Sequence, residues 1–399
     1  MIENRDGKRS MTTDSAVVED PTRSVFLVGT RWFGVLGPCK EIIENLVSEG
    51  LNVYIFGQRD SHYHRYFQDN CTLIELRMRR SYFSPGADFL DVMKIRGYMR
   101  RVRPCAVHSF NPKPSLIGYA ALLGFKKTEF FVGVTGLGNT FIRAPKLERY
   151  IVSALRMVCG RARFVFFQNP DDVAMFKEKR IVDDKKVMMF TGPGVDLQVF
   201  RPDDRSNSQT AEKKIIRVGC TARLIWQKGI REYLACAGTI LADPDWSGKI
   251  EFYLYGEVDL EHPDRVAPEF IENAVAKGIV RHISWTDDIA SEIRKLDIFV
   301  LHSYREGAPR AILEASATSI PTVGSDAIGV RELIVDGVTG FITPLHDVGA
   351  MKDRILKLAA DPILRRELGA AARARIGEKY SLEKATAAQL AMYETSGVI

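Results

Sequence analysis

The stretch DIFVLHSYREGAPRAILEASA (297–317) joins an apolar run to a helical pattern through a short polar turn. The first part, DIFVLHSY, has no polar alternation, which is typical of a strand buried on both faces of a sheet. Gly307 permits close approach of the backbone, and Pro309 suits the first turn of the helix that runs through AILEASA. A buried strand, a tight turn and a helix in this order indicate a parallel sheet covered by helices.

The same alternation recurs along the chain. In the first half the strand candidates are 25–29, 52–57, 105–110, 129–136, 164–168 and 187–192. In the second half they are 215–222, 250–256, 282–286, 297–304 and 320–326. Helical stretches follow these runs, so we predict an α/β protein with two doubly wound, Rossmann-like parallel sheets facing each other across a cleft.

Length and composition favour two domains. A chain of 399 residues is long for one hydrophobic core, and the segment 192–214 is rich in Gly, Pro, Asp and Ser, as linkers are. We predict a disordered tail over 1–21, a first domain over 22–195, a linker over 196–213, a second domain over 214–380, and a C-terminal helix over 381–399 that returns to the first domain.

Two glutamates flank the turn after the 297–304 strand. Glu306 follows this strand after one intervening residue, and Glu314 lies within the helix. A helix N-terminus favours an anion such as a diphosphate, and an acidic side chain nearby can bind sugar hydroxyls. The alternative is an ordinary strand–turn–helix connection with two exposed glutamates.

Two cations follow the first strand of the second half. Arg223 directly follows the run IIRVGCTA (215–222), and Lys228 lies in RLIWQKG. Both can reach one phosphate, Arg as a planar fork and Lys as a point charge. The alternative is a pair of surface cations in a loop.

Nothing in the sequence indicates a metal or redox site. The six cysteines form no C-x-x-C pair, so we expect reduced, mostly buried thiols. The triplet His62-Tyr63-His64 has no third ligand nearby, and Asp243-Pro244-Asp245 is interpreted as a turn that ends a helix. We expect neither a bound metal nor a cofactor.

Charge is unevenly distributed. Residues 22–195 carry 27 Lys and Arg against 15 Asp and Glu, whereas the whole chain has a net charge of +6. A basic first half indicates an anionic partner, and the absence of a recognisable binding motif argues against nucleic acid.

A basic and aromatic segment, 77–104, suggests what this partner is. Its arginines Arg79, Arg80, Arg100 and Arg101 lie among Tyr82, Phe83, Phe89, Met93 and Tyr98. Such a mixture suits the anionic surface of a membrane, and the longest apolar run, 116–125, is too short to span one. The alternative is a solvated helix whose apolar residues face the domain core.

Several motifs together resemble the retaining family-4 glycosyltransferases of GT-B architecture. TARLIWQKGI, SYREGAPRAILEASA and the segment 320–344 are similar to the donor half of that family, and GPGVDLQVFRP is similar to its interdomain hinge. NPKPSLIGYAAL and VGVTGLGNTF resemble the acceptor half of bacterial members that build lipid-linked surface polysaccharides. The resemblance spans roughly residues 24 to 395.

The resemblance implies roles for individual residues. Glu306 would contact the donor sugar, Glu314 the ribose hydroxyls, and Arg223 and Lys228 the diphosphate, helped by the backbone of Gly307 and Ala308 beside Pro309. The implied reaction moves a hexose or N-acetylhexosamine from a nucleotide sugar, such as a UDP-sugar, to a polyprenyl-diphosphate-linked saccharide. The configuration is retained and no metal is needed, because the cations and the helix dipole stabilise the leaving charge.

The acceptor half departs from the family pattern. Where several members carry a histidine, this chain has Thr135 and Gly136, and the first glycine-rich loop reads TRWFGVLGPCKE. Gly34 and Gly37 stay candidates for approach to the donor, and His108 is a candidate for ordering the acceptor, or else a histidine satisfied by neighbouring backbone.

Two other functions use the same architecture. A nucleotide-sugar 2-epimerase would turn over the donor without an acceptor, and a non-catalytic sensor would keep the phosphate cations without an acceptor groove. The leading prediction is a cytoplasmic glycosyltransferase, peripheral on the inner face of the cytoplasmic membrane, with donor sugar, linkage and oligomeric state left open.

Overall fold

The computed structural model describes residues 23–60, 71–78, 84–136, 148–202, 215–260 and 262–399. They form two parallel sheets of seven and six strands, and helices connect most of the successive strands. The predicted class of two doubly wound α/β sheets is confirmed. The tail 1–21, the triplet His62-Tyr63-His64 and most of the 196–213 linker lie outside the described residues.

The first sheet has the strand order β3-β2-β1-β4-β5-β6-β7. Its strands are β1 (Ser24–Arg31), β2 (Asn52–Gln58), β3 (Cys71–Glu75), β4 (Ala106–Phe110), β5 (Glu129–Val134), β6 (Phe164–Phe167) and β7 (Val187–Met189). Its helices are α1 (Phe33–Leu36), α2 (Lys40–Ser48), α3 (Pro85–Val102), α4 (Pro112–Leu122), α5 (Glu148–Arg161) and α6 (Pro170–Glu178).

The second sheet has the order β10-β9-β8-β11-β12-β13. Its strands are β8 (Ile216–Thr221), β9 (Ile250–Tyr255), β10 (Arg281–Ile283), β11 (Ile298–Leu301), β12 (Thr322–Ser325) and β13 (Gly340–Thr343). The helices that follow are α7 (Ile230–Leu241), α8 (Pro268–Ala276), α9 (Ile289–Arg294), α10 (Arg310–Ala317), α11 (Val348–Ala360), α12 (Pro362–Lys379) and α13 (Leu382–Thr395).

All predicted strands are present, and two strands were missed. β3 and β13 are the outer strands of their sheets. β3 alternates buried and exposed residues, and β13 has only four residues, so neither shows the long apolar run of a central strand. These two strands were missed because outer strands are less buried and so need fewer consecutive apolar residues.

The chain crosses between the domains twice, at adjacent places. Val195 bridges Ser381, and the backbone of Leu382 donates to the Val195 carbonyl at 2.9 Å. After this crossing α13 packs on the first domain, where Tyr393 and Met392 join its apolar core. The last helix of the chain thus covers the sheet to which it is not connected in sequence.

Ion pairs join the domains across the cleft. The Arg305 guanidinium pairs with the carboxylate of Asp172, which is fully buried at the start of α6. Next to this pair, the Asn169 side-chain amide donates to the Gly307 carbonyl at 3.3 Å. Arg331 donates to Asp171 at 3.0 Å. The turn that precedes α10 is therefore held against the start of α6.

A carboxyl–carboxylate contact adds to this interface. Burial, followed by a hydrogen bond to Asp171, raises the pKa of Glu332 to about 7. The same hydrogen bond lowers the pKa of Asp171. The hydrogen bond needs the protonated Glu332 carboxyl as its donor. It is therefore strongest at acidic pH and weakens as the pH rises through about 7, where Glu332 loses its proton.

Within the described residues, no helix combines the length and the apolar character needed to cross a membrane. All six cysteines are free thiols; five are buried and Cys105 is half-buried, as predicted.

We expect Asp172→Asn to loosen the contact between the domains. The substitution leaves the Arg305 guanidinium, whose side chain is only 14% exposed, without its carboxylate, and breaking such a pair costs about 3 kcal/mol. Small-angle X-ray scattering should give a larger radius of gyration with an unchanged far-UV circular dichroism spectrum. Asp184→Asn is the matched control, because Asp184 pairs with Lys177 inside the first domain at 2.9 Å. An unchanged radius in Asp172→Asn would contradict the expectation.

Candidate functional site

The candidate site lies where the strand order reverses in each sheet. In the second sheet β8 and β11 are neighbours and their connections diverge, and in the first sheet β1 and β4 have the same relation. Ligands of open α/β sheets bind in the crevice at the carboxyl ends of such strands. Arg223 follows β8 and Glu306 follows β11, so the structure brings these two predicted residues to one crevice.

Glu306 is held by both side-chain and backbone contacts. Its carboxylate pairs with the Lys228 ammonium, and its backbone N–H donates to the Ile328 carbonyl at 2.9 Å. Gly329, at φ +83°, packs on the Glu306 carbonyl so closely that a β-carbon there would collide with it. The side chain of Glu306 is 12% exposed, which excludes the alternative of a freely exposed glutamate.

The Lys228 loop is fixed to the end of β11. Trp226 to Lys228 form one 3₁₀ turn, which ends at Gly229 with φ +70°. A β-carbon at Gly229 would collide with the His302 carbonyl, and the Tyr304 N–H donates to the Gln227 carbonyl at 2.9 Å. These contacts place the Lys228 ammonium beside Glu306.

Arg223 lies in the same crevice and remains exposed. Desolvation of the guanidinium is the largest effect on the pKa of Arg223 and lowers it. The negative charge of Glu306 raises this pKa, and the positive charge of Arg31 lowers it. A carboxylate and two cations therefore converge here, because Glu306 is a neighbour of both Arg223 and Lys228.

The turn after Glu306 meets the first domain. A β-carbon at Gly307 would collide with the Thr135 carbonyl and the Gln168 side chain, and one at Gly136 would lie 3.4 Å from the Gly307 nitrogen. Gly307 is therefore needed for the two domains to touch. The predicted residues Thr135 and Gly136 both lie at this contact, opposite the turn that carries Glu306.

Helix α10 begins one residue later than predicted. Pro309 is its N-cap residue rather than part of the first turn, and it makes no side-chain capping bond. Since proline lacks an N–H group, the backbone donors next to this turn are those of Gly307, Ala308 and Arg310. Ala308 and Arg310 line a cavity between the domains.

Glu314 is buried rather than exposed. Its side chain is 11% exposed, and its nearest cation is Arg310, at 3.5 Å. Burial raises the pKa of the Glu314 carboxyl, and Arg310 opposes that shift. A carboxylate in such surroundings gains from hydroxyl donors of a ligand, and the contact with ribose hydroxyls stays a prediction.

The cavity between the domains has a volume of about 200 Å³ and carries His108 on its wall. The His108 Nδ1 atom shares a 2.9 Å hydrogen bond with the Tyr393 hydroxyl, and no described residue bonds its Nε2 atom. Burial lowers the pKa of His108 to about 3, so the ring is neutral. Aromatic side chains form much of the rest of the wall: Phe110, Phe166 and Phe190.

The two glycines of the first loop differ in position. Gly34 lines the cavity, and a β-carbon there would meet nothing within 4 Å. Gly37 ends α1 by donating to the Phe33 carbonyl, has an ordinary φ of −64°, and does not line the cavity. The structure therefore brings Gly34 to the candidate site but not Gly37.

No group of three potential metal-ligating side chains occurs within the described ranges. The Asp243 and Asp245 pair forms a turn after α7, in which the Asp243 carboxylate accepts from the Asp245 N–H at 3.0 Å. The interpretation of this pair as a helix-ending turn is confirmed.

Sequence reasoning missed Arg31, Asp172 and Arg305. Asp172 and Arg305 are far apart in sequence, and only the fold joins them. A signal for Arg31 was present: it ends the first strand of the first domain, just as Arg223 follows the first strand of the second.

Comparisons with known proteins agree with this architecture. Residues 26–169 match the family described as "Glycosyl transferase 4-like", and residues 215–361 match "Glycosyl transferases group 1". A capsular polysaccharide biosynthesis glycosyltransferase, CapM of Staphylococcus aureus, is 23% identical and aligns over 88% of this chain and 92% of its own length.

Two further proteins are similar over most of their length. The Campylobacter jejuni N,N'-diacetylbacillosaminyl-diphospho-undecaprenol alpha-1,3-N-acetylgalactosaminyltransferase is 25% identical over 82% of this chain and 87% of its own. The Anabaena HepE structure in complex with UDP and glucose superposes with a TM-score of 0.72 at 14% identity, over 94% of this chain and all of that one. With matches in both domains, the chain belongs to the GT-B glycosyltransferases with group 1 and family 4-like domains.

Proposed function

We propose that this protein is a retaining, metal-independent glycosyltransferase that moves a hexose or N-acetylhexosamine from a UDP-sugar to a polyprenyl-diphosphate-linked saccharide. The observation that carries the proposal is the position of Glu306, beside Lys228 and Arg223 at the switch point of the second sheet. Cations at this point suit a diphosphate, and a carboxylate beside them suits sugar hydroxyls.

In the proposed reaction the bond between the donor's anomeric carbon and the diphosphate oxygen breaks. Arg223 and Lys228 stabilise the negative charge that develops on the diphosphate, which is the part a metal ion plays in other enzymes. The acceptor hydroxyl attacks the same face of the sugar, and its proton passes to the departing phosphate oxygen. Glu306 orients the donor sugar during this exchange.

His108 fits a binding role rather than that of a base. A ring with a pKa of about 3 takes up protons poorly at neutral pH. Its Nε2 atom has no bond from the described residues and lies at a cavity with aromatic walls, which suits a neutral saccharide. The cavity also borders Ala308, next to Gly307. We assign this cavity to the acceptor saccharide.

The choice of donor and acceptor rests on the relatives. The name of the C. jejuni relative specifies a diphospho-undecaprenol-linked acceptor, and the HepE crystal structure contains UDP and glucose. A capsular polysaccharide enzyme is also among the relatives. These names support a lipid-linked acceptor and a uridine nucleotide for this chain.

We further propose that helix α3 rests on an anionic membrane surface on the cytoplasmic side. Phe89, Leu90 and Met93 are 63%, 46% and 44% exposed, and they lie on the same side of the helix as the exposed Arg100 and Arg101. Apolar side chains beside cations are typical of helices that lie in the membrane interface.

Part of the predicted membrane segment belongs elsewhere. Tyr98 packs against Tyr54 and Phe56 in the first domain, with ring centroids 6.3 and 5.5 Å apart, so it serves the core. Arg79, Arg80, Tyr82 and Phe83 lie outside the described residues. The proposed membrane face therefore consists of Phe89, Leu90, Met93, Arg100 and Arg101.

We expect Glu306→Gln to lower turnover by about a hundredfold while the protein still folds, because a lost electrostatic contact at the reacting sugar costs that much. Glu314→Gln should raise the KM for the donor. Release of UDP, followed with and without a lipid-linked acceptor, is the measurement, and Glu269→Gln on the exposed face of α8 is the control. Near-normal turnover in Glu306→Gln would remove the assignment. Donor turnover without acceptor would instead indicate the epimerase, and binding without turnover the sensor.

Arg223→Ala and Lys228→Ala should each weaken UDP binding about tenfold or more, since a charge-assisted hydrogen bond contributes about 1.5–3 kcal/mol. The double variant should lose more than either single one. Isothermal titration calorimetry gives the affinities, with uridine as a phosphate-free ligand and Lys249→Ala as the control. Loss of activity on chelation, with these variants still active, would contradict the metal-independent reaction.

Binding to vesicles that contain anionic lipid should fall steeply between low and high salt, because the distance over which charges attract each other shortens as the ionic strength rises. Arg100→Glu with Arg101→Glu, or Phe89→Ser with Met93→Ser, should abolish it in a flotation assay. Reversal of the exposed Lys249 and Lys277 in the second domain is the control. Binding insensitive to salt and to these substitutions would refute the membrane proposal.

A further inference from the structure

The end of β1 is shaped to direct one side chain into the cleft. The pairing of β1 with β2 runs from Val28 opposite Phe56 to Arg31 opposite Gln58, so β1 has one extra residue, a β-bulge. Bulges increase the local twist and re-aim the side chains next to them. A β-carbon at Gly57 would lie 3.1 Å from the Arg31 carbonyl carbon, which is tighter than ordinary contact, so the bulge also needs this glycine.

Arg31 points at the second domain. Its Nη2 atom lies 3.7 Å from an Asp259 carboxylate oxygen, across the cleft. The loop that carries Asp259 begins after β9 and is bonded to the Arg223 loop, because the Leu224 N–H donates to the Glu257 carbonyl at 3.0 Å. Arg31 therefore faces the loop that carries the first predicted phosphate cation.

Cations from both domains converge in this region. Arg31, Arg223 and Lys228 bring three cations, against the carboxylates of Glu306 and Asp259. The charge of Arg31 already lowers the pKa of Arg223, so the two guanidinium groups repel each other. An anion bound between the two guanidinium groups would relieve this repulsion.

We propose that Arg31 binds the diphosphate of the nucleotide-sugar donor from the first domain. The inference rests on the proposed function and extends it, because the diphosphate would then be held by cations of both domains. Arg31 and Arg223 occupy similar places at the two switch points, because Arg31 ends β1 and Arg223 follows β8, the first strand of the second sheet. Donor binding would then strengthen the contact between the two domains that the structure already shows.

The simplest competing explanation is an ion pair between the domains, Arg31 with Asp259, that has no ligand role. The two explanations differ in what each substitution should do. If Arg31 serves only this pair, Asp259→Asn should reproduce the effect of Arg31→Ala. If Arg31 binds the diphosphate, Asp259→Asn should leave UDP affinity largely intact.

The test is calorimetric titration of the full-length protein with UDP and with uridine. We expect Arg31→Ala to raise the Kd for UDP about tenfold or more and to leave the Kd for uridine unchanged. Arg31→Lys should lose less, because it keeps the charge but not the planar fork. Arg331→Ala is the matched control, since Arg331 also bridges the domains, through Asp171 at 3.0 Å, and should leave both Kd values unchanged.

Several results would overturn the inference. One is an unchanged UDP affinity in Arg31→Ala while Arg223→Ala loses it; the donor site would then stand without Arg31. Equal losses for UDP and uridine, or an equal effect of Asp259→Asn or Arg331→Ala, would leave only a structural role. An unchanged UDP affinity with a raised KM for a polyprenyl-diphosphate acceptor would assign Arg31 to the acceptor's diphosphate. If Arg223→Ala and Lys228→Ala also bind UDP normally, the proposed function itself fails.

Discussion

The pairing of the buried Asp172 carboxylate with Arg305 is the contact on which the site depends. Arg305 directly precedes Glu306, so fixing its guanidinium against the start of α6 also fixes the turn that carries Glu306 and Gly307. A buried carboxylate without a cationic partner destabilises the folded protein. Asp172 therefore favours the one arrangement of the domains in which Arg305 reaches it. Glycines complete it, because side chains at Gly307 or Gly192 would collide with the opposite side.

The strand–turn–helix motif could be predicted because its information is local. A run of apolar residues, a glycine and a helix start within 21 residues define where Glu306 lies, and the same holds for Arg223 after β8. Edge strands such as β13 carry less of that pattern. Gly34 lines the cavity and Gly37 does not, a difference that the sequence of the loop does not reveal because it depends on how the fold turns each glycine.

Contacts between domains could not be predicted in this way. Asp172 and Arg305 are 133 positions apart, and neither residue differs in sequence from an ordinary surface charge. The burial of Glu314 likewise follows from how α10 packs on the rest of the second domain. Arg31 is intermediate, since its place at a strand end is local but its direction depends on a bulge in the pairing with β2.

The first domain has cations both on α3 and, as Arg31, at the cleft, and this arrangement bears on how a lipid-linked acceptor would arrive. Helices between parallel strands run opposite to the strands, so α3 begins near the cleft, at the carboxyl ends of the strands, and ends near their amino ends. Its apolar residues Phe89 and Met93 lie in the half near the cleft, and Arg100 lies about 16 Å beyond Phe89 along the helix axis. In the proposed membrane-bound arrangement, α3 lies flat and the strands run along the surface, so the cleft opens sideways over the lipid. The arginines would then bind lipid headgroups, while the cations of the cleft stay available for the diphosphate of the reaction.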